Sequence, residues 1–238
     1  MKVDILAVGV HPDDVELSCS GTLIRHIAMG KKAGILDLTL GELGTRGTPE
    51  LRTKEANDSA GVIGVEFRTQ LDLGDGYFQN DPSHRSFVIQ QIRKHQPDIV
   101  LCNAIRDRHP DHGRAAQLTA EACFYSGLSK IKTELNGSEQ KAWRPRAVYH
   151  YIQDEYIEPD FVIDVTPYME TKMKAIMSFA SQFYDPKSKE PQTPISSKEF
   201  MEYIQSKMSV WGRSIGVAYA EGFTVRRFPG VNSLYDLL

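Results

Sequence analysis

The 238-residue chain has 25% charged residues, 41% from the AVILMFWYC set and a formal net charge of -3. This is ordinary globular usage and excludes disordered, collagen-like and coiled-coil classes. A pI near 6.2 leaves no basic footprint for nucleic acid, and no apolar run approaches the roughly 18 residues of a membrane helix. Neither partner is expected. Asp4 interrupts the first apolar run, so no signal peptide is expected and the location reads as cytoplasmic. Cys19, Cys102 and Cys123 are odd in number and lie in apolar surroundings, which predicts core residues rather than a disulfide framework.

Taken in chain order, Val3–Val10 predicts a strand, and Glu16–Met29 a helix stopped by Gly30. Ala33–Leu40 reads as a second strand, followed by the loop GELGTRGTPE and a helix over Leu51–Ile63 closed by Gly64. Phe67–Leu73 is a third strand and Ser83–His95 a helix. Asp98–Asn103 is a fourth strand, and IRDRHPDHG leads from it into a helix over Arg114–Tyr125. Beyond this point the pattern loosens. Ala147–Ile152 and Phe161–Val165 read as strands, Tyr168–Ala180 and Ser197–Trp211 as helices, with a Pro/Lys/Ser-rich loop at 184–196 between those helices. The alternation predicts an α/β fold, a Rossmann-like mostly parallel sheet with helices on both faces. With neither a repeat nor a clean linker, one domain is expected: a regular β/α core over 1–126 and a less regular part over 127–238.

Two polar clusters sit at predicted strand exits, where open parallel sheets bind ligands. His11-Pro12-Asp13-Asp14 follows the first strand, and His109-Pro110-Asp111-His112 comes shortly after the fourth. Parallel topology would bring both to one edge. Imidazole and carboxylate groups are zinc ligands, and a catalytic zinc takes three of them and keeps a position for water. The same set also suits Fe(II). The tandem Asp13-Asp14 offers one carboxylate as ligand and one as proton acceptor. Either cluster alone reads equally well as an N-cap or a Pro-containing turn. The pairing of two such clusters favours a site.

HPDD after the first strand, DLTLGELGTRGTPELR, RHPDH after the fourth strand and VAYAEGF near the C-terminus resemble the LmbE/PIG-L family of zinc-dependent N-deacetylases. The likeness spans nearly the whole chain. It implies His11, Asp14 and His112 as metal ligands, Asp13 as general base, and His109 as the group that stabilises the tetrahedral intermediate or protonates the leaving amine. Asp111 would support His109 and favour its imidazolium form. Arg52 falls at a substrate-binding position, where its fork would suit a carboxylate such as malate, and Arg46, Arg106 and Arg108 in the neighbouring loops could share that task. Where some relatives offer a tyrosine to the intermediate, this chain has Phe200, with Tyr184 and Tyr203 nearby. The resemblance further implies an acetamido-sugar substrate, foremost N-acetylglucosaminyl-malate in bacillithiol synthesis, and a homo-oligomer, often a hexamer.

Other readings remain open at this level. A chitobiose-type N-acetylglucosamine derivative would keep the chemistry and change the substrate. A nucleotide-binding protein would need a Gly-rich turn after the first strand, where VHPDDVEL instead places two carboxylates. The glycines of Gly41–Gly47 lack a P-loop ending and read as a flexible rim. A metal-binding regulator would hold the ion without turnover. His26, His84, His95 and His150 stand alone and read as surface or satisfied polar residues.

Overall fold

Strand β1 (Ile5–Gly9) is buried along its whole length, and its side chains alternate between two cores. Leu6 and Val8 pack with the apolar faces of two helices, α4 (Pro82–His95) and α5 (Pro110–Tyr125). Ile5 and Ala7 pack on the other face with Val15, Leu23, Ile24 and Ala175. This period-two division is what a strand between helical layers requires. The structure, a computed structural model describing residues 1–237, extends the pattern through β2 (Ala33–Asp37), β3 (Phe67–Gln70), β4 (Ile99–Cys102) and β7 (Ala147–Tyr151), all parallel to β1 or to its neighbours. β8 (Phe161–Asp164) lies at the far edge. Between β7 and β8 runs β9 (Ala220–Val225), antiparallel to both. The order β3-β2-β1-β4-β7-β9-β8 bears out a mostly parallel α/β sheet covered on both faces. It also places the topological switch point between β1 and β4, where a crevice opens beyond the strand ends.

Several boundaries differ from expectation. The helix expected over Glu16–Met29 is two helices, α1 (Asp14–Ser18) and α2 (Ser20–Ala28), separated by non-helical Cys19. The break is tertiary in origin. Glu221 of β9 accepts hydrogen bonds from the Gly21 and Thr22 amides at 2.9 and 2.7 Å, satisfying the free donors of the α2 N-terminus. Gly21 is required there, because a Cβ would meet Glu221 Oε1 at 2.9 Å. α5 begins four residues earlier than expected, with His109 as N-cap and Pro110 in the first position, a place that suits Pro. The remaining helices, α3 (Pro49–Ile63), α6 (Met169–Met177) and α7 (Lys198–Ser214), fall within a few residues of their predicted spans. β9 and the short hairpin β5 (Glu134–Leu135) and β6 (Ser138–Glu139) were not anticipated. The hairpin turns on Asn136-Gly137, both at positive φ, the usual chemistry of a tight β-turn. All three cysteines are buried and free. Among the described residues no helix is long and apolar enough to cross a membrane.

Buried charge ties the layers together. Lys172 of α6 pairs with Glu221 at 2.8 Å, both essentially inaccessible, and also donates to the Glu16 and Leu17 carbonyls of α1. Arg68 of β3 bridges Asp37 and Glu16 at 2.7 and 2.6 Å. Removing one partner of a buried pair strands the other charge and costs about 3–5 kcal/mol. Lys172→Met is therefore expected to lower Tm by on the order of 10 °C, and Lys172→Met/Glu221→Gln to recover part of that loss, read by calorimetry. A second expectation concerns pH. His95 stacks on Phe67 at 3.7 Å between ring centroids, and burial pushes its pKa down to about 4. An unfolded histidine binds its proton near pH 6.5, so between pH 6.5 and 4 the unfolded state holds more protons and stability falls as pH falls. His95→Gln should lose less Tm than the parent across that window.

Candidate metal centre and catalytic pocket

A pocket of about 180 Å³ opens beyond β1 and β4 at the switch point, and its lining includes His11, Asp13, Asp14, Arg52, His109 and His112. The two clusters far apart in sequence thus meet in one crevice. The His11 and His109 rings lie 4.7 Å apart and His109 and His112 5.2 Å apart, centroid to centroid.

Asp14 is the first residue of α1, and its carboxylate is held from several sides. Oδ2 accepts from the Val10 and His11 amides and from Asn103 Nδ2 at 2.9–3.0 Å, and Oδ1 from Gln153 Nε2 at 2.9 Å. His112 Nε2 lies 3.2 Å from Oδ1 and His11 Nδ1 4.0 Å from Oδ2. The two imidazoles thus approach different oxygens of one carboxylate, and imidazole nitrogens with a carboxylate oxygen are the ligand types of a zinc site. The far nitrogens are tied down by carboxylates. His11 Nε2 meets Asp75 Oδ1 at 2.9 Å, and His112 Nδ1 contacts Asp107. Carboxylates behind imidazoles fix ring orientation and basicity in metal sites. The donor set therefore fits a divalent cation. Nitrogens of His11, His109 and His112 also lie within 4.8 Å of one another, as do donor atoms of His11, Asp75 and Asp111. His109 differs from the other two histidines because its Nδ1 already accepts from the Asp111 amide at 3.3 Å.

Neighbouring Asp13 occupies a very different environment. Its φ of 126° is a strained backbone for a non-glycine residue, the kind of outlier that clusters at functional sites. The Asp13 carboxylate contacts Arg52, whereas that of Asp14 faces His11 and His112. Burial pushes the Asp13 carboxyl up to about 7, opposed by the Arg52 guanidinium, whose Nη2 lies 3.2 Å from Oδ2. Asp14 moves the opposite way despite its burial, pulled well below the usual carboxylate range by His112 and His11. His11 and His112 are raised to about 10 and 9, because the carboxylates around them outweigh burial.

The remaining candidates divide. Arg52 is 4% exposed and lines the pocket, but its fork is already engaged. Nη1 donates to the Gly41 carbonyl, and Nη2 to Pro12 and Asp13. This corrects the expectation of a free fork for a substrate carboxylate. Gly41 carries φ +66°, and a Cβ there would meet Nη1 at 2.1 Å, so the glycine loop packs on Arg52 rather than forming a loose rim. Arg108 lines the pocket and pairs with Asp154 at 2.6 Å. Arg46 is buried against the Gln182 and Phe183 carbonyls, and Arg106 pairs with Glu155. Asp111 supports His109 through its charge, which favours the imidazolium, and not through a hydrogen bond. Its carboxylate accepts from the Gly76 amide and from Arg114, with His11 Nε2 3.7 Å away. Burial, with the His11 and His112 charges, depresses the His109 pKa. With Nδ1 accepting, neutral His109 carries its hydrogen on Nε2. Phe200 and Tyr203 line the pocket, where the Tyr203 hydroxyl donates to the Asp154 carbonyl at 2.6 Å. Tyr184 does not belong to this lining.

Sequence reasoning missed Asp75, Asp107, Asn103, Gln153 and Lys207. Asn103 and Gln153 closely follow the ends of β4 and β7, and Asp75 lies in the loop after β3, so a strand-exit position was the available signal. Lys207 of α7 reaches the Gln153 carbonyl, and burial lowers its pKa to about 8. The strand-exit crevice and its carboxylate-backed histidines make a candidate metal centre on an α/β fold.

A family profile described as GlcNAc-PI de-N-acetylase, PIG-L, matches residues 6–123. The crystal structure of the conserved protein TT1542 from Thermus thermophilus matches with a TM-score of 0.85 and 33% identity over 97% of both chains. The diacetylchitobiose deacetylase of Thermococcus kodakarensis is 28% identical over 95% of this chain and 84% of its own length. A probable N-acetyl-alpha-D-glucosaminyl L-malate deacetylase 2 of Bacillus anthracis is 25% identical over 75% of this chain and 81% of its own. The chain belongs to the PIG-L/LmbE family of deacetylases.

Asp107 touches the metal-candidate ring and not the crevice's reacting space. Asp107→Asn should weaken binding of a divalent metal by roughly 10–100-fold, measured by competition against a chromophoric chelator, with the fold retained by circular dichroism.

Proposed function

We propose that the protein is a zinc-dependent amide hydrolase that removes acetyl from an N-acetylglucosamine conjugate, with N-acetylglucosaminyl-malate as its first substrate. The carrying observation is the pair of adjacent carboxylates in opposed environments. Asp14 is bound by four N–H donors and faces His11 and His112, whereas Asp13 stands on strained backbone beside Arg52.

His11, Asp14 and His112 hold the cation. When bound, it acidifies water and polarises an acyl oxygen as a Lewis acid. Asp13 takes the proton of the attacking water, a role suited to a group that titrates near the working pH. Arg52 orients that carboxylate and limits its rise. His109 donates a hydrogen bond from Nε2 to the developing oxyanion, and the proton that Asp13 takes from water passes to the leaving amine, so that acetate and a free sugar amine result. Arg108 lines the pocket, is half exposed and is bound to Asp154 through Nε alone, so its terminal nitrogens are placed to meet an anionic aglycone, whereas both Nη groups of Arg52 are engaged.

A second substrate reading, diacetylchitobiose, is supported by the Thermococcus relative, whose match spans 95% of this chain. Acetate release from both substrates and from free N-acetylglucosamine separates them. Preference for the malate conjugate that is lost in Arg108→Ala supports the first, and equal turnover of all acetamido sugars removes it. Chelation should abolish turnover and zinc restore it. Asp13→Asn should lower kcat by about 10²–10⁴ at unchanged metal content. A chelated protein with full activity would overturn the metal-dependent reading.

A further inference from the structure

A cleft of about 630 Å³ lies away from the catalytic pocket, at the opposite end of the sheet where β1 and β4 begin. Its origin is a partial strand pairing. β9 pairs with β7 only from Tyr149↔Val225 to Tyr151↔Phe223. Beyond Val225 the chain leaves the ladder, and residues 226–230 face Ala147 and Val148 across an open gap.

The gap is walled by apolar and cationic groups together. Val148 and Tyr149 line it alongside Arg146, Arg226 and Arg227, with Phe228, 92% exposed, at its margin. Among the described residues none of these three guanidiniums has a carboxylate partner. Of the two acids in the lining, Asp4 is engaged by the Lys32 amide at 2.8 Å and by Lys31 at 3.9 Å. Asp98 alone opposes the three arginines, which leaves the cleft net positive. Its buried wall includes His150, 1% exposed. His150 Nδ1 lies 2.9 Å from the Asn103 carbonyl and so donates its hydrogen there. Nε2 is then a buried acceptor with no hydrogen-bond partner.

We propose that this cleft is a second binding site, distinct from the catalytic pocket, for an amphipathic organic anion: an apolar or aromatic body with a carboxylate, sulfonate or phosphate group. The arginines meet the anionic group through charge-assisted hydrogen bonds, and the apolar wall takes the body. Such a mixture of apolar walls and few polar groups is what small-molecule sites present.

8-Anilino-1-naphthalenesulfonate has this chemistry and is the probe. The expected result is one saturable site by fluorescence and calorimetry, neither displaced by N-acetylglucosamine nor altered by chelation. Arg146→Ala/Arg226→Ala should weaken it at least about tenfold, as loss of charge-assisted contacts predicts. Inorganic phosphate should compete only weakly, since it lacks the apolar body. The exposed-site variant Arg146→Gln gives the same ordering should the double variant fold poorly. Undiminished binding in the arginine variants, displacement by the sugar, phosphate binding as tight as the dye, or no saturable site would each overturn the proposal. These outcomes are independent of deacetylase activity.

Discussion

Too many carboxylates share the switch-point crevice for any of them to be left uncompensated. Asp13, Asp14, Asp75 and Asp111 are all 5% exposed or less, and Asp107 adds its side chain behind His112. In a poorly solvated crevice such a group must find hydrogen-bond donors or positive charge, or take up a proton. The structure supplies donors to Asp14, a guanidinium to Asp13 and Asp111, and imidazoles to Asp75 and Asp107. The raised pKa values of His11 and His112 are the counterpart of that crowding. A divalent cation would satisfy the same demand with one charge centre in place of two protons, which links metal affinity to pH.

That crevice depends in turn on a very short helix. α1 has only five residues, too few to be stable by itself, and it begins directly after the strained Asp13. Its position is fixed from outside. Glu16 is held by Ser59 and Arg68, and Lys172 grips the carbonyls of Glu16 and Leu17 while pairing with Glu221. Strain of this kind persists only where the surroundings over-determine it. The buried ions of β3, α6 and β9 therefore anchor the helix that follows the strained Asp13. They also connect the less regular C-terminal part of the chain to the chemistry at β1.

How much of this was legible follows the range of the forces. Strands β1 to β4 and helices α3 to α5 show in local periodicity and capping, and Pro49, Pro82 and Gly64 mark their ends. The strand-exit rule placed HPDD and HPDH together without any structure. β9 was not legible, because AEGFTV is stabilised by pairing with β7 and β8 and not by a pattern of its own. The α1–α2 break was hidden for the same reason: its cause, Glu221, lies 200 residues away. Asp75, Asp107 and Gln153 are single polar residues in loops, and only distance relative to the imidazoles and to Asp14 distinguishes them. Arg52 was found, but its role depends on which acceptors reach its fork, and a sequence holds no such information.

The tandem carboxylates then show how two chemically equivalent groups acquire different tasks. Asp13 and Asp14 share sequence neighbours and burial, so neither composition nor desolvation alone separates them. What differs is first the neighbouring charge, since the His112 and His11 imidazoles face Asp14 and favour its ionised form, and then the donors. The backbone turn at Val10–His11, with Asn103 and Gln153, presents four N–H groups to Asp14, and hydrogen bonds to the charged form hold a carboxylate ionised. Asp13 has its burial opposed chiefly by the single Arg52 contact, and burial prevails. Environments that push paired carboxylates apart in this way assign one to hold charge and the other to exchange a proton. Here the assignment is made by the contacts, with Arg52 beside Asp13 and the His11 and His112 imidazoles facing Asp14.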